Sequence, residues 1–320
     1  MCYQGLRRRA LVSPHRWVAC LIVPLAALCS AAPATASVIS YTGALPALTT
    51  SYYEQSGSSS VMYRQGEAAG KGGAQGIVIL DFGRPAAIGA TYGTMGFGGS
   101  FISLPAIVTG VEGFIRAYFH YAPAGMTLDV AVGTNDSCGT GQPCGTRICG
   151  CNNEPVSFYA YGGAWALAVE ELRSWAVDLK AAGGYTDTVR VVAADDAEPA
   201  YDPGYRNTYE LLAGYAATVG GSEPAMVDYG SAERSWTEEE LLQVAYGFRP
   251  DVPMPQVYYS SQAGEWANLL SYAKRARHLN MTIFGVLAGA DPAAAYGEML
   301  SAAERVTQQH AIPWLSTLTS

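Results

Sequence analysis

From residue 76 onward the chain alternates short apolar runs with amphipathic stretches, and this rhythm restricts the fold more than any other feature. Ile77-Val78-Ile79-Leu80 is a continuous apolar run ending in Asp81-Phe82-Gly83, as expected of a strand buried on both faces. Leu104, Ile107, Val111, Phe114 and Tyr118 then recur at spacings of three and four and predict a helix over about 103–121. The same reading predicts strands at 127–132, 189–195, 225–229, 254–260, 281–287 and 312–317. Helices are predicted at 162–182, 205–219, 237–246, 263–278 and 293–309. Thr237 with Glu240 forms a capping-box pattern, and Asp291-Pro292 opens the last helix.

Seven strands separated by six helices, with no Asn-Gly hairpin signal between apolar runs, imply a parallel sheet covered by helices. The expectation is an α/β fold: a (β/α)8 TIM-like barrel, or a variant with one strand missing or irregular, forming a single domain over 76–320. A doubly wound open sheet is the alternative. Gly93-Thr94-Met95-Gly96-Phe97-Gly98-Gly99 does not match the Gly-x-Gly-x-x-Gly turn that such a sheet commonly carries. Residues 37–75, rich in Ser, Thr and Gly, read as an extended, partly flexible arm with Ser56-Gly57-Ser58-Ser59-Ser60 as its mobile tip.

The N-terminus has the three-part layout of a secretory signal peptide. Arg7, Arg8, Arg9 and Arg16 precede an apolar run from Trp17 to Cys29, and Ala34-Thr35-Ala36 ends a predicted 1–36 leader. The apolar run is shorter than the ~20 residues needed to span a bilayer, and Pro24 interrupts it. The expected location is secreted or extracellular, with no membrane association after cleavage. Losing those four arginines leaves 15 basic residues against 27 acidic ones, a balance that argues against nucleic acid as a partner. Cys138, Cys144, Cys149 and Cys151 remain within one Gly-rich stretch, and in an exported protein they predict two disulfides, whose pairing is left open.

In a (β/α)8 barrel the active site is built on the C-terminal strand ends. Those ends carry Asp81, Asn135-Asp136, Asp195-Asp196-Ala197-Glu198, Asp228-Tyr229 and Gln256-Val257-Tyr258-Tyr259. Residues two apart on a strand share a face, ~6.6 Å apart at ~3.3 Å per residue. Asp196 and Glu198 therefore suit a reaction that needs one protonated and one ionised carboxyl, as glycoside hydrolysis does. Asp81 would supply a third carboxylate. Tyr229, Tyr258 and Tyr259 offer flat faces for sugar rings, and Asn135 a donor and acceptor for hydroxyls. Acids at strand ends also cap helices, a role open to Asp195 or Asp196. No His-Glu-x-x-His, Gly-x-Ser-x-Gly or Walker loop is present, and neither a metal nor an organic cofactor is expected.

The stretches Ile79-Leu80-Asp81-Phe82-Gly83, Val132-Gly133-Thr134-Asn135-Asp136-Ser137 and Ala194-Asp195-Asp196-Ala197-Glu198-Pro199 resemble secreted bacterial glycoside-hydrolase-like barrel proteins of uncertain function. The Asp-x-Glu after a central strand, with an Asp ending strand one, is more distantly similar to the family 25 lysozymes. The resemblance covers about 76–320. It implies a (β/α) barrel and cleavage of peptidoglycan or another polysaccharide by Glu198, Asp196 and Asp81. A non-catalytic carbohydrate-binding barrel and a cell-surface interaction protein are the other readings.

Overall fold

The computed structural model describes residues 46–137, 147–149, 155–220, 224–233, 235–248, 251–289, 291–307 and 312–319. The predicted leader lies outside these residues, as do Cys138, Cys144 and Cys151; Cys149 is described only as backbone.

Eight strands form one parallel sheet: β1 (Leu48–Tyr53), β2 (Gly76–Asp81), β6 (Thr127–Asn135), β9 (Thr188–Asp196), β10 (Met226–Asp228), β11 (Asp251–Pro253), β12 (Gly285–Ala288) and β13 (Trp314–Thr319). Their spatial order is β11-β10-β9-β6-β2-β1-β13-β12, which is chain order read around a circle. The two ends meet at a parallel bridge between Gln256 and Leu287, where Val257 N–H donates to Leu287 O at 2.9 Å. The result is a nearly closed (β/α)8 barrel. Among the described residues seven helices connect the strands: α1 (Ser59–Lys71), α2 (Leu104–Tyr121), α3 (Phe158–Gly183), α4 (Arg206–Val219), α5 (Glu238–Tyr246), α6 (Ser260–Arg277) and α7 (Pro292–Thr307).

Strand alternation divides the apolar residues into two cores. Ile77, Ile79, Ala131, Val192, Ala194, Val227, Tyr229, Met254 and Leu287 fill the barrel interior. Val78, Leu80, Val130, Val132, Val191 and Ala193 face the helices, where they meet Phe114, Trp165 and Trp266. The caps read from the sequence are in place. Thr237 Oγ1 accepts from Glu240 N–H at 3.3 Å while Glu240 Oε2 accepts from Thr237 N–H at 2.8 Å, and Asp291 Oδ1 accepts from Ala294 N–H at 3.0 Å.

Three expectations need correction. The stretch read as a flexible arm contributes β1, paired with both β2 and β13, and then α1, whose N-cap is Ser58. The barrel domain therefore begins at residue 48, and β1 is the eighth strand. It shows no apolar run because its inward side chains are hydroxyls with partners. Ser51 Oγ accepts from Ile79 N–H at 2.9 Å and lies 2.7 Å from Ser316 Oγ, and Thr49 Oγ1 donates to Ile77 O.

Antiparallel pairing is also present. Between β2 and α2 the chain makes a small sheet, β3 (Arg84–Ile88), β4 (Thr91–Met95) and β5 (Phe101–Ser103). Its first turn is Gly89-Ala90, with Gly89 at φ 58, the position where a II′ turn accepts glycine without an Asn-Gly signature. A second short ribbon pairs β7 (Arg147–Cys149) with β8 (Pro155–Ser157). Finally, the strand predicted over 254–260 is β11 at 251–253, followed by irregular chain, because Pro253 and Pro255 cannot donate to a ladder.

Candidate functional site

The inward parity of each strand carries a polar residue into the barrel at its C-terminal end. Ile77 and Ile79 are followed by Asp81, Val192 and Ala194 by Asp196, and Ala131 and Gly133 by Asn135, which is in register with Asp196. Tyr229, Gln256 and Tyr258 continue the ring from the next two strand ends. Asp81, Asn135, Asp196, Tyr229 and Gln256 are all buried.

Each carboxyl has a different set of donors, and that difference sorts their acidity. Burial pushes Asp81 up to about 6, but the Gly83 N–H (2.7 Å to Oδ1) and the Tyr229 hydroxyl hold it down. Asp196 has the Gln256 Nε2–H donor at 2.9 Å, and burial raises it well above the usual carboxylate range, with the charges of Glu198 and Asp81 adding to the effect. Glu198 is half-buried and rises to about 7 through burial and then the charge of Glu233. All three carboxyls are therefore raised above the ordinary range, and Asp81 is the one whose rise is opposed by two donors.

Glu198 lies beyond the end of β9, in a turn whose Glu198 carbonyl accepts from Tyr201 N–H at 2.8 Å and Asp202 N–H at 3.2 Å. Asp136 positions this turn: its Oδ1 accepts from Glu198 N–H at 3.3 Å and its Oδ2 from Thr208 Oγ1 at 2.7 Å. Helix capping falls to Asp202 rather than to Asp195 or Asp196. Its Oδ2 accepts from Asn207 N–H at 2.7 Å and Thr208 N–H at 3.0 Å at the start of α4. Asp195 belongs to the opposite parity and points at the helix layer, fully buried, with no hydrogen-bond partner for either oxygen among the described residues. It is in register with Asp228 on β10.

Of the expected aromatic residues, Tyr229 is buried at the centre, its hydroxyl beside Asp81 and 3.4 Å from Thr134 O. Tyr258 lies at the rim within range of Asp196, Glu198 and Asp81. Tyr259 has the other parity. It is 72% exposed at the start of α6, its N–H held by Gln262 Oε1 at 3.1 Å, and is not part of this cluster.

Sequence reasoning missed four residues. Tyr53 ends β1 and Glu54 follows it; Tyr53 is hydrogen-bonded to Tyr258, and Glu54 is buried and raised to about 7. Both were hidden in the supposed arm. Tyr201 faces Asp196 and Glu198 from the turn after β9. Arg84 lines a pocket of about 300 Å³ beside the mouth, together with Phe97, Asn135 and Tyr201. A basic residue three positions after Asp81 was the available signal for it.

Among the described residues no group of three His, Cys, Asp or Glu side chains is arranged to hold a metal ion. No described helix is long and apolar enough to cross a membrane. Neither a family model nor a curated protein matches the chain.

Proposed function

We propose that the protein is an exported glycoside hydrolase acting on peptidoglycan or another polysaccharide through carboxyl groups alone. The observation that carries this reading is the gathering of Asp81, Asp196 and Glu198 at one tyrosine-lined mouth of the barrel. Glycosidic cleavage needs a protonated group for the leaving oxygen and an ionised group for the developing positive charge at the sugar carbon. Glu198, half-buried and raised to about 7, keeps its proton as pH approaches neutrality and is accessible, so it delivers the proton. Asp81, held near 6 by two donors, carries the charge. Asp196 keeps its proton and, oriented by Gln256, serves as a donor to a substrate hydroxyl. Tyr53, Tyr201 and Tyr258 supply the faces on which a sugar packs. Export follows from the leader read in the sequence.

Activity would rise with pH as Asp81 ionises near 6 and fall as Glu198 loses its proton near 7, giving a maximum between the two. The test is reducing-end release from peptidoglycan and a polysaccharide panel by residues 37–320, beside Glu198→Gln. The reading predicts release that drops ~100-fold or more in the variant, the scale of a lost general acid. Release that survives the substitution removes Glu198 from the role. Glycan binding without release by the folded wild type would establish the non-catalytic barrel instead.

A further inference from the structure

The turn between β4 and β5 lies beside the mouth, and its sequence, Gly96-Phe97-Gly98-Gly99, leaves one side chain to present. Gly96 N–H donates to Ser100 O at 3.0 Å, Gly99 N–H to Gly96 O at 2.8 Å, and Phe97 N–H to Glu54 O at 3.1 Å. The last of these ties the turn to the residue that follows β1. Glycine permits the close approach: a Cβ at Gly98 would lie 2.6 Å from Gln55 O, and one at Gly96 would lie 2.7 Å from Ile102 Cδ1 and 3.1 Å from Glu54 O. The backbone of Phe97 is thus pinned over the end of β1.

Phe97 is 45% exposed, yet its ring meets that of Tyr53 with centroids 4.3 Å apart. Tyr53 is in turn hydrogen-bonded to Tyr258, and its backbone is in register with Asp81. The three rings form a row that runs from the β4–β5 turn past Asp81 to the chain after β11. Phe97 also lines the pocket of about 300 Å³ beside the mouth, the lower end of the ~300–1,000 Å³ range of small-ligand sites and so the size for one ring rather than a chain. Two of its lining residues belong to the mouth as well: Asn135 is in register with Asp196, and Tyr201 faces Asp196 and Glu198. Arg84 has an interaction of its own within the protein, so the pocket is read by its aromatic faces and not by charge. A single exposed phenylalanine needs no function. One fixed against a mouth tyrosine, in a concavity continuous with the carboxyls, fits a flat partner.

Resting on the glycosidase reading, we propose that Phe97 is the platform of a second sugar subsite, holding through its C–H face the pyranose unit next to the one at the carboxyls. A pyranose whose hydroxyls are equatorial offers an aromatic ring an unbroken C–H face, whereas an axial hydroxyl interrupts that face. The occupant is therefore an equatorially substituted pyranoside within a longer glycan. Titrations of the Glu198→Gln protein measure its binding without turnover, using oligosaccharides of chitin, cellulose and amidase-stripped peptidoglycan of increasing length.

In at least one series affinity should step up roughly tenfold at the length that first reaches from the carboxyls to Phe97, the scale of a ring-stacking contact with its buried area. Phe97→Ala should erase the step and Phe97→Trp should keep it. Phe97→Leu, which retains an apolar contact with Tyr53 but no flat face, should lose it as well, with unchanged circular dichroism in all three. A step untouched in Phe97→Ala and Phe97→Leu, or no step in any series that binds, overturns the subsite; if wild type still cleaves those glycans, the glycosidase reading stands without it. A Phe97-dependent step in a protein whose wild type cleaves nothing keeps the subsite and removes the glycosidase. If the protein neither cleaves nor binds any probe, both fail.

Discussion

Replacing Gly133 with alanine tests how the interior of the barrel is coupled to the acidity of Asp81. Gly133 faces inward on β6, in register with Asp81 on one side and Ala194 on the other. A Cβ there would lie 2.9 Å from the Tyr229 hydroxyl, 3.2 Å from Asp81 Cα and 3.3 Å from Ile79 Cγ2. Reaching ordinary contact requires Tyr229 to retreat by roughly 0.5 Å. Its ring is fully buried, so the retreat shifts β10 or rotates the ring. Overpacking of this kind costs about 1–3 kcal/mol, and removal of a strand glycine returns about 0.5–1. The net loss of ~1–2 kcal/mol corresponds to a melting temperature lower by roughly 2–3 °C at this chain length.

The displaced hydroxyl is also one of the two donors that hold Asp81 near 6, so the ascending side of the pH–activity profile should move to higher pH. Thermal and urea unfolding measure the first effect, and kcat/KM against pH measures the second. Gly264→Ala on α6 is the control, because its Cβ would meet no atom within 4 Å and a helical Gly→Ala change stabilises by about 1 kcal/mol. A Gly133→Ala protein with wild-type stability and an unmoved ascending limb would refute the packing argument and the Tyr229–Asp81 coupling together.

Two further substitutions separate the ends and faces of the barrel. Near the N-terminal end, Arg190 Nε and Nη2 donate to the buried Asp129 at 2.6 and 2.7 Å; Arg190→Ala should cost about 1–3 kcal/mol in urea unfolding, with kcat/KM unchanged. On the helix-facing side, Asp195 and Asp228 are both raised by burial, Asp228 to about 7. Their folded values lie above the ~3.9 of an unfolded aspartate, so their contribution is complete below pH ~4 and is lost as pH rises toward 7. Asp195→Asn should flatten that decline and raise stability at pH 8 by about 1–3 kcal/mol; melting curves that stay parallel from pH 4 to 8 would contradict it.

The barrel was legible wherever strands obey the rule that a parallel strand is apolar on both sides. Ile77-Val78-Ile79-Leu80 follows it, and so do the helices whose apolar spacing meets that sheet. β1 does not: Thr49 and Ser51 place hydroxyls inside the barrel, satisfied by Ile77, Ile79 and Ser316, three partners remote in sequence. Losing β1 from the reading also lost Tyr53 and Glu54 from the site. The rim of carboxyls was legible as well, but the direction of each was not. In Val191-Val192-Ala193-Ala194 both parities are apolar, so nothing local says whether Asp195 or Asp196 faces inward. Only the neighbouring strands decide, and they likewise separate Tyr258 from the exposed Tyr259.

The run Asp195-Asp196-Ala197-Glu198 therefore performs two tasks within four residues. Asp196 and Glu198 face the mouth, where on the glycosidase reading proposed above a retained proton serves the reaction. Asp195 faces packed helices, where a retained proton only avoids a buried charge. Both kinds of acid carry the same thermodynamic mark, a folded-state value above the unfolded one, so each lowers stability as pH rises. Stability alone cannot tell them apart. Glu198→Gln and Asp195→Asn should both stabilise the protein above pH 7, yet only the first should lose activity. That contrast distinguishes a carboxyl held protonated for a reaction from one held protonated by its packing, and it is the physical content of calling one parity of β9 functional.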